Sequence, residues 1–353
     1  MSKNGSLRIL IVGIGALGGT IAARALSVGM NVWLATRTEE SAAKLRSIGL
    51  QVSGIGGTAS ISELPHVAAI REYGLEPKFD LIVLATKANE AIEVAPLLAR
   101  LLTPDGTLLP IQNGSVSQIL GERLGAVVLG GLSNLGATMI RPGSYEQRNA
   151  GHLLLGEVAG GWSNRAEMIA QALGKAVETV VTSNFRNALW AKLLLNCSVT
   201  TIGAIAAQTM RQYTASSVGK EVFRLSYDEA LSVALSRGIQ PQQMIVEPVP
   251  PGWHGTSVQG REYDAWVASI ISAYGDLKAS MLQDFERGRR TEIDFINGYV
   301  AQAGSHLGIP VPVNTAITAM VRSIEQGKIQ PGPERLGEVL RNAAWSWQPF
   351  MFL

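Results

Sequence analysis

The sequence predicts a parallel α/β sheet domain followed by an all-helical domain. Short, continuously apolar runs alternate with helical stretches up to residue 182, and from 183 onward long segments of helical periodicity take over. The 353 residues suffice for two domains. With 46% hydrophobic and 16% charged residues, the chain can bury enough apolar surface to offset ordering entropy, which excludes intrinsic disorder.

Each segment can be justified in turn. Residues 7–12 are the continuous apolar run of a strand buried on both faces, and they lead into Gly13-Ile14-Gly15-Ala16-Leu17-Gly18. The Ala-rich residues 20–28 read as the following helix and 31–35 as a second strand. Thr38 is placed to cap a helix over 39–47, with Glu39 and Glu40 favourable in its first turn. Residues 79–85 form a third strand with a helix at 89–101. Two further strands, 107–110 and 126–130, flank a short helix at 115–120. Beyond 131, segments 137–141 and 152–156 read as antiparallel members completing the same sheet, and 165–173 as a helix.

From a boundary near Ser183, residues 184–206, 213–237, 259–274 and 292–307 are the helices of the second domain. Pro248, Pro250, Pro251 and Gly252 mark a rigid loop between two of them. The domain plan is 1–182, 183–325 and an extension at 326–353. This extension holds Pro331-Gly332-Pro333, a short helix at 334–344, and Trp345, Trp347, Phe350 and Phe352. Clustered terminal aromatics pack on their own domain, as expected here, or against a second subunit.

Charge and composition narrow the function. The net charge is only +2, and the densest basic run, Arg287-Gly288-Arg289-Arg290, is followed at once by Glu292 and Asp294. No cationic stripe for nucleic acid exists. A single Cys197 excludes an intrachain disulfide, and four scattered histidines provide no metal cluster. Lys3 and Arg8 before an apolar stretch imitate a secretory signal, but Gly13, Gly15, Gly18 and Gly19 interrupt it. No run of about 20 residues is apolar without polar or glycine interruption. A soluble cytoplasmic protein with no membrane partner is expected.

The glycine motif follows a strand and opens a helix, the context of a Rossmann-type dinucleotide site. Gly13 permits the tight turn, Gly15 lets the backbone approach a pyrophosphate, and Gly18 allows close helix packing. The second strand ends in Val32-Trp33-Leu34-Ala35-Thr36-Arg37, without the carboxylate that an NAD site presents to the ribose. Arg37 suits a 2′-phosphate, aided by Thr36 or Thr38, so NADP(H) is expected over NAD(H). FAD stays open from the glycines alone, and Arg37 as a solvated loop residue is the alternative. Lys87 stands just beyond a buried strand, where open α/β sheets bind ligands. Asn113, in Gln112-Asn113-Gly114, offers an amide near the nicotinamide or marks an ordinary turn.

In the second domain, Lys192, Asn196 and Thr200 are spaced by four and would share one slowly drifting helix face. Their neighbours are almost entirely apolar. A lysine there must snorkel to water, pair with an anion or lose its proton more readily. Further on, Thr291 is placed to cap a helix with Glu292 and Asp294 in its first turn, and Ser280 is placed to contact a carboxylate. Sequence alone does not bring Glu292 to Lys192.

These motifs resemble the 2-dehydropantoate 2-reductase (ketopantoate reductase) family. The resemblance spans residues 7–322 and rests on the glycine motif, Thr86-Lys87, Gln112-Asn113-Gly114, Lys192-Leu193-Leu194-Leu195-Asn196 and the segment from Ser280 to Thr291-Glu292-Ile293-Asp294-Phe295-Ile296-Asn297-Gly298. It implies an NADP-binding domain and a helical domain like that of 6-phosphogluconate dehydrogenase, with catalysis in the cleft between them, and a homodimer. By resemblance Lys192, Asn113 and Glu292 are catalytic, and Asn196, Thr200, Ser280 and Lys87 bind substrate. Gly13, Ile14, Gly15, Ala16, Leu17, Gly18, Arg37, Lys87, Asn113 and Glu292 are cofactor-side positions.

The chain also departs from the pattern. Thr200 stands where the family usually has asparagine, and Met210 falls where another is expected, which removes a donor and an acceptor. The loop 248–260 also differs. The implied reaction is NADPH-dependent reduction of a small 2-oxo acid to a 2-hydroxy acid, 2-dehydropantoate to pantoate in the first instance, with Lys192 as general acid. Another 2-oxo acid or opine-like substrate, and a non-catalytic nucleotide sensor, stay open as alternatives.

Overall fold

The computed structural model describes residues 7–74 and 78–345, and the chain forms two compact units that part between Phe185 and Arg186. Trp347, Phe350 and Phe352 of the aromatic tail lie outside the described residues.

The first unit runs β1 (Ile9–Val12), α1 (Ala16–Ser27), β2 (Val32–Thr36), α2 (Glu39–Ile48), β3 (Leu50–Gly54), β4 (Ala59–Ile61), β5 (Val67–Ala69), β6 (Phe79–Leu84), α3 (Ala88–Ala99) and β7 (Leu102–Pro110). It continues with α4 (Val116–Leu124), β8 (Leu129–Ser133), β9 (Ala137–Arg141), β10 (Ser144–Gln147), β11 (Leu153–Glu157), α5 (Asn164–Leu173) and β12 (Thr179–Val181). Strands β5-β2-β1-β6-β7 form an all-parallel sheet in that order. Of its central strands, β1 is buried along its whole length and β6 everywhere except at Asp80, as their apolar runs require. Each buried Ile, Val or Leu there contributes about 1.5–3 kcal/mol.

Of the later strands, β9 and β10 leave this sheet, contrary to the expectation from sequence, while β8 and β11 extend it only through the parallel bridge Leu108–Val128 beside β7. The hairpin β3–β4 recruits β10 and β9 into a separate four-stranded sheet, and β12-β11-β8 form a third. The four-stranded sheet packs on α1, so this helix is covered on both sides. That explains why its residues from Gly18 to Ala25 are all buried. α1 begins at Ala16, four residues earlier than expected, because it starts directly from the glycine turn. The strand expected at 126–130 begins only at Leu129, since Gly125–Val127 is a 3-10 turn entered through Gly125 at φ +70°. Thr38 caps α2 as expected, its hydroxyl accepting the Ser41 amide at 3.2 Å.

The second unit is helical: α6 (Phe185–Leu195), a π turn (Asn196–Thr200), α7 (Thr201–Ala206), α8 (Met210–Tyr213), α9 (Ser217–Ser236), α10 (Arg261–Tyr274), α11 (Ser280–Glu286), α12 (Asn297–Leu307), α13 (Pro312–Glu325) and α14 (Arg335–Trp345). The expected single helix over 184–206 is thus interrupted by a wider turn at the polar positions. As a whole, Phe185–Ala206 is long and apolar enough by composition to cross a membrane, and 83% of its most apolar window is buried within the protein. α12 starts at Asn297, not at 292. Residues Ile293–Phe295 make a 3-10 turn, and Ile296 (φ −111°, ψ −102°) separates the two. Thr291 therefore does not cap α12; it lies just before that short turn, its hydroxyl accepting the Ile293 amide at 3.2 Å. α13 lies beyond the helices expected from the sequence and opens with Pro312, whose fixed φ suits a first helical position. α14 packs on α13, α9 and α7, and the Gly332 amide donates to the Ile205 carbonyl at 2.9 Å. The loop between α9 and α10 is pinned by Tyr227 Oη on the Pro248 carbonyl and Trp266 Nε1 on the Glu247 carbonyl, both at 2.7 Å.

Candidate active site

In the first unit the predicted cofactor residues gather at the carboxyl ends of neighbouring strands. The sheet order reverses between β1 and β6, the switch point at which open α/β sheets take ligands. Gly13 sits there at φ +92°, and a methyl group on it would lie 2.6 Å from the Thr86 amide. Around Gly15 a side chain would meet nothing within 4 Å, so the backbone is open to a ligand. Gly15 caps α1 without a side-chain hydrogen bond and the first turn holds no acid, which leaves its amides for an anion. A Cβ on Gly18 would collide with the Gly13 carbonyl. These observations fit a dinucleotide phosphate.

Arg37 is exposed at the end of β2, and its Nη1 lies 3.3 Å from Oε1 of Glu90, in the first turn of α3. Lys87 ends the β6 segment and caps α3, exposed to solvent. Asn113 follows β7 and is partly buried beside Gly114, which turns the chain at φ +73°.

In the second unit Lys192 lies on α6 among buried Leu189, Ala191, Leu193 and Leu194. The helix is anchored by fully buried Trp190, whose ring packs 5.9 Å from that of Tyr299 on α12. Burial pushes the Lys192 ammonium down to about 8, and the negative charge of Glu292 partly counters this. The fold therefore brings together the lysine and the acid that sequence spacing left apart. Asn196 opens the π turn, and its Nδ2 is buried without a hydrogen-bond partner among the described residues. Thr200 turns its hydroxyl back to donate to the Asn196 carbonyl at 3.0 Å. Met210 is buried in α8. Ser280 is exposed at the first position of α11, a helix that packs on α7.

Three features escaped the sequence. Gln112 Nε2 donates to the Leu84 and Thr86 carbonyls at 2.8 and 3.0 Å, tying the ends of β6 and β7 together under Lys87 and Asn113. Tyr145, buried on β10, donates to the Ile14 carbonyl at 3.1 Å and fills the space left by Gly19, bracing the glycine turn from 131 residues away. The π turn itself is the third. Only Gln112 had a signal, its place in the Gln-Asn-Gly motif.

Residues 9–160 match the family model Ketopantoate reductase PanE/ApbA, and residues 184–325 match Ketopantoate reductase PanE/ApbA C terminal. The 2-dehydropantoate 2-reductase of Archaeoglobus fulgidus is 29% identical over 327 residues, covering 91% of this chain and 98% of that protein. The crystal structure of 2-dehydropantoate 2-reductase from Geobacter metallireducens superposes with a TM-score of 0.74 at 25% identity, over 90% of this chain and 99% of that one. D-mandelate dehydrogenase with NADH and anilino(oxo)acetate shares the fold, with a TM-score of 0.75 at 22% identity over 90% and 98% of the two chains. Both halves of the sequence thus match one lineage, and the chain belongs to the ketopantoate reductase (PanE/ApbA) family of oxidoreductases acting on 2-oxo acids.

Proposed function

We propose that the protein reduces 2-dehydropantoate to pantoate with NADPH, using Lys192 as general acid. The observation that carries this reading is the desolvated Lys192 in the field of Glu292, one turn before the unsatisfied Asn196 amide. When bound, the nicotinamide supplies the hydride that reduces the C2 carbonyl. Negative charge grows on the carbonyl oxygen, and Lys192 Nζ stabilises it and donates the proton. With its pKa near 8, the amine is mostly protonated at neutral pH and a stronger acid than a solvated lysine. Glu292 holds the ammonium charged and accepts a hydrogen bond from the hydroxyl being formed. Asn113 orients the reacting oxygen or the lysine, while Asn196 Nδ2 is a ready donor for the substrate carboxylate. Thr200, Ser280 and Lys87 are the remaining substrate contacts. The Gly13–Gly18 turn holds the pyrophosphate, and Arg37, released from Glu90, meets the 2′-phosphate. A homodimer belongs to the same reading, and light scattering checks it.

A second reading, reduction of a differently shaped 2-oxo acid, is favoured by Thr200 and Met210. The hydroxyl of one is turned onto its own helix and the thioether of the other is buried, so neither presents a free amide to pantoate-like hydroxyls. A panel of 2-oxo acids, including ketopantoate and an aryl 2-oxo acid, followed by oxidation of NADPH and of NADH, tests both. Ketopantoate with NADPH should give the highest kcat/KM. Preference for another acid would support the second reading, and tight nucleotide binding with no oxidation of any acid would discard both.

A further inference from the structure

The π turn after Lys192 closes with the Thr201 amide on the Asn196 carbonyl and is supported from outside by side chains. In such a turn hydrogen bonds close over five residues instead of four, an arrangement that needs outside support. Ser198 Oγ donates to the Leu194 carbonyl at 2.6 Å, Thr201 Oγ1 to the Asn196 carbonyl at 2.9 Å, and Tyr213 Oη to the Ser198 carbonyl at 2.7 Å. The Cys197 carbonyl is reached from two other helices, by Asn297 Nδ2 at 3.1 Å from α12 and by Ser226 Oγ at 3.4 Å from α9.

Behind these donors stands Asn314. Its Oδ1 accepts from Asn297 Nδ2 at 2.9 Å and lies 3.2 Å from Ser226 Oγ. Its Nδ2 donates to Glu229 Oε2 at 2.8 Å and to the Ser226 carbonyl at 3.0 Å. Glu229 also accepts the Val313 and Asn314 amides at the start of α13, each at 2.8 Å. Ser226 has one proton for two acceptors, whereas the two protons of Asn297 serve both at once. Asn297 is therefore the secure link between the turn and the network. Its own Oδ1 is buried without a partner among the described residues, a deficit that packing stability alone would not select.

We propose that Asn297 is a positioning residue for the reaction: by holding the Cys197 carbonyl it keeps the π turn open, and so keeps Asn196 and Lys192 directed at the substrate. This rests on the reductase reading above. If the turn relaxed to ordinary α geometry, α6 would rotate by about 100° relative to α7, because one residue would leave the wide turn. The site residues would then lose their orientation even though the fold survived.

The test compares Asn297→Ala and the milder Ser226→Ala with the unaltered full chain. Each is assayed for kcat and KM, NADPH affinity, thermal midpoint, and the pH midpoint of Lys192 acetylation by competitive labelling and mass spectrometry. We expect Asn297→Ala to lower kcat/KM about tenfold or more while NADPH affinity changes less than about twofold. The Lys192 labelling midpoint should rise from about 8 as the ammonium regains water. Ser226→Ala should move both readouts the same way by less, and it decides the matter if Asn297→Ala does not fold. A lowered thermal midpoint with kcat/KM and labelling both unchanged would overturn the proposal. If the unaltered chain reduces no 2-oxo acid, the reductase reading falls. The labelling midpoint then still shows whether Asn297 governs the lysine.

Discussion

At the glycine turn of the first unit the groups offered to a ligand are backbone amides, whereas on the lysine helix of the second unit they are side chains. The first arrangement follows from what glycine lacks: Gly13 bends at φ +92° and Gly15 leaves its surroundings empty. The second follows from what neighbouring residues impose. Lys192 is desolvated by burial, kept charged by Glu292 a hundred residues on, and followed by a turn stitched from three other helices. Binding a pyrophosphate needs only well-placed dipoles, so a short contiguous motif suffices. Tuning an acid needs control of solvent and charge, which only distant packing supplies.

The contrast can be broken most sharply at Lys192. Lys192→Ala should lower kcat by roughly a thousandfold and leave NADPH affinity nearly intact, as steady-state assays and nucleotide titration would show. Gly13→Ala should do the reverse, damaging nucleotide binding first. The new methyl lies 2.6 Å from the Thr86 amide at a φ that alanine avoids, so a loss of about 2 kcal/mol or more in thermal stability should accompany weak NADPH titration. Arg37→Ala should weaken NADPH about tenfold and leave NADH unaffected; equal loss for both would remove Arg37 from 2′-phosphate recognition.

Smaller effects sharpen the same comparison. The general acid works protonated, so kcat/KM should fall as pH rises through about 8. Glu292 raises that value, so Glu292→Gln should move the alkaline limb to lower pH, and an upward shift would contradict the charge assignment. Thr38→Ala should lower stability by about 1 kcal/mol through loss of the Ser41 amide bond and, beside Arg37, should weaken NADPH by less than Arg37→Ala does.

Legibility in the sequence follows this division. The parallel strands, the glycine turn and the Thr38 cap were readable because each depends on residues adjacent in the chain. The separate sheet over α1 was not. Its strands β3 and β10 are short, half exposed and drawn from segments some 90 residues apart, and only tertiary pairing makes them one element. At the site, the spacing of Lys192 and Asn196 signalled a polar face on an apolar helix, and Glu292 was legible only through family resemblance. The π turn left no periodic trace, because one extra residue among Asn, Cys, Ser, Val and Thr, in an otherwise apolar stretch, marks no break in the hydrophobic pattern. Likewise nothing near Tyr145 announces that its hydroxyl braces the Ile14 carbonyl.

The protein's one thiol sits inside that same turn. Cys197 is fully buried, and that burial pushes its ionisation well above the ordinary thiol range, so it should resist alkylating reagents while the segment stays packed. Its rate of modification is therefore a built-in clock for opening of the segment that carries the acid. Ligands that lock the segment should slow the clock, and they can be ranked by it without any assay of turnover.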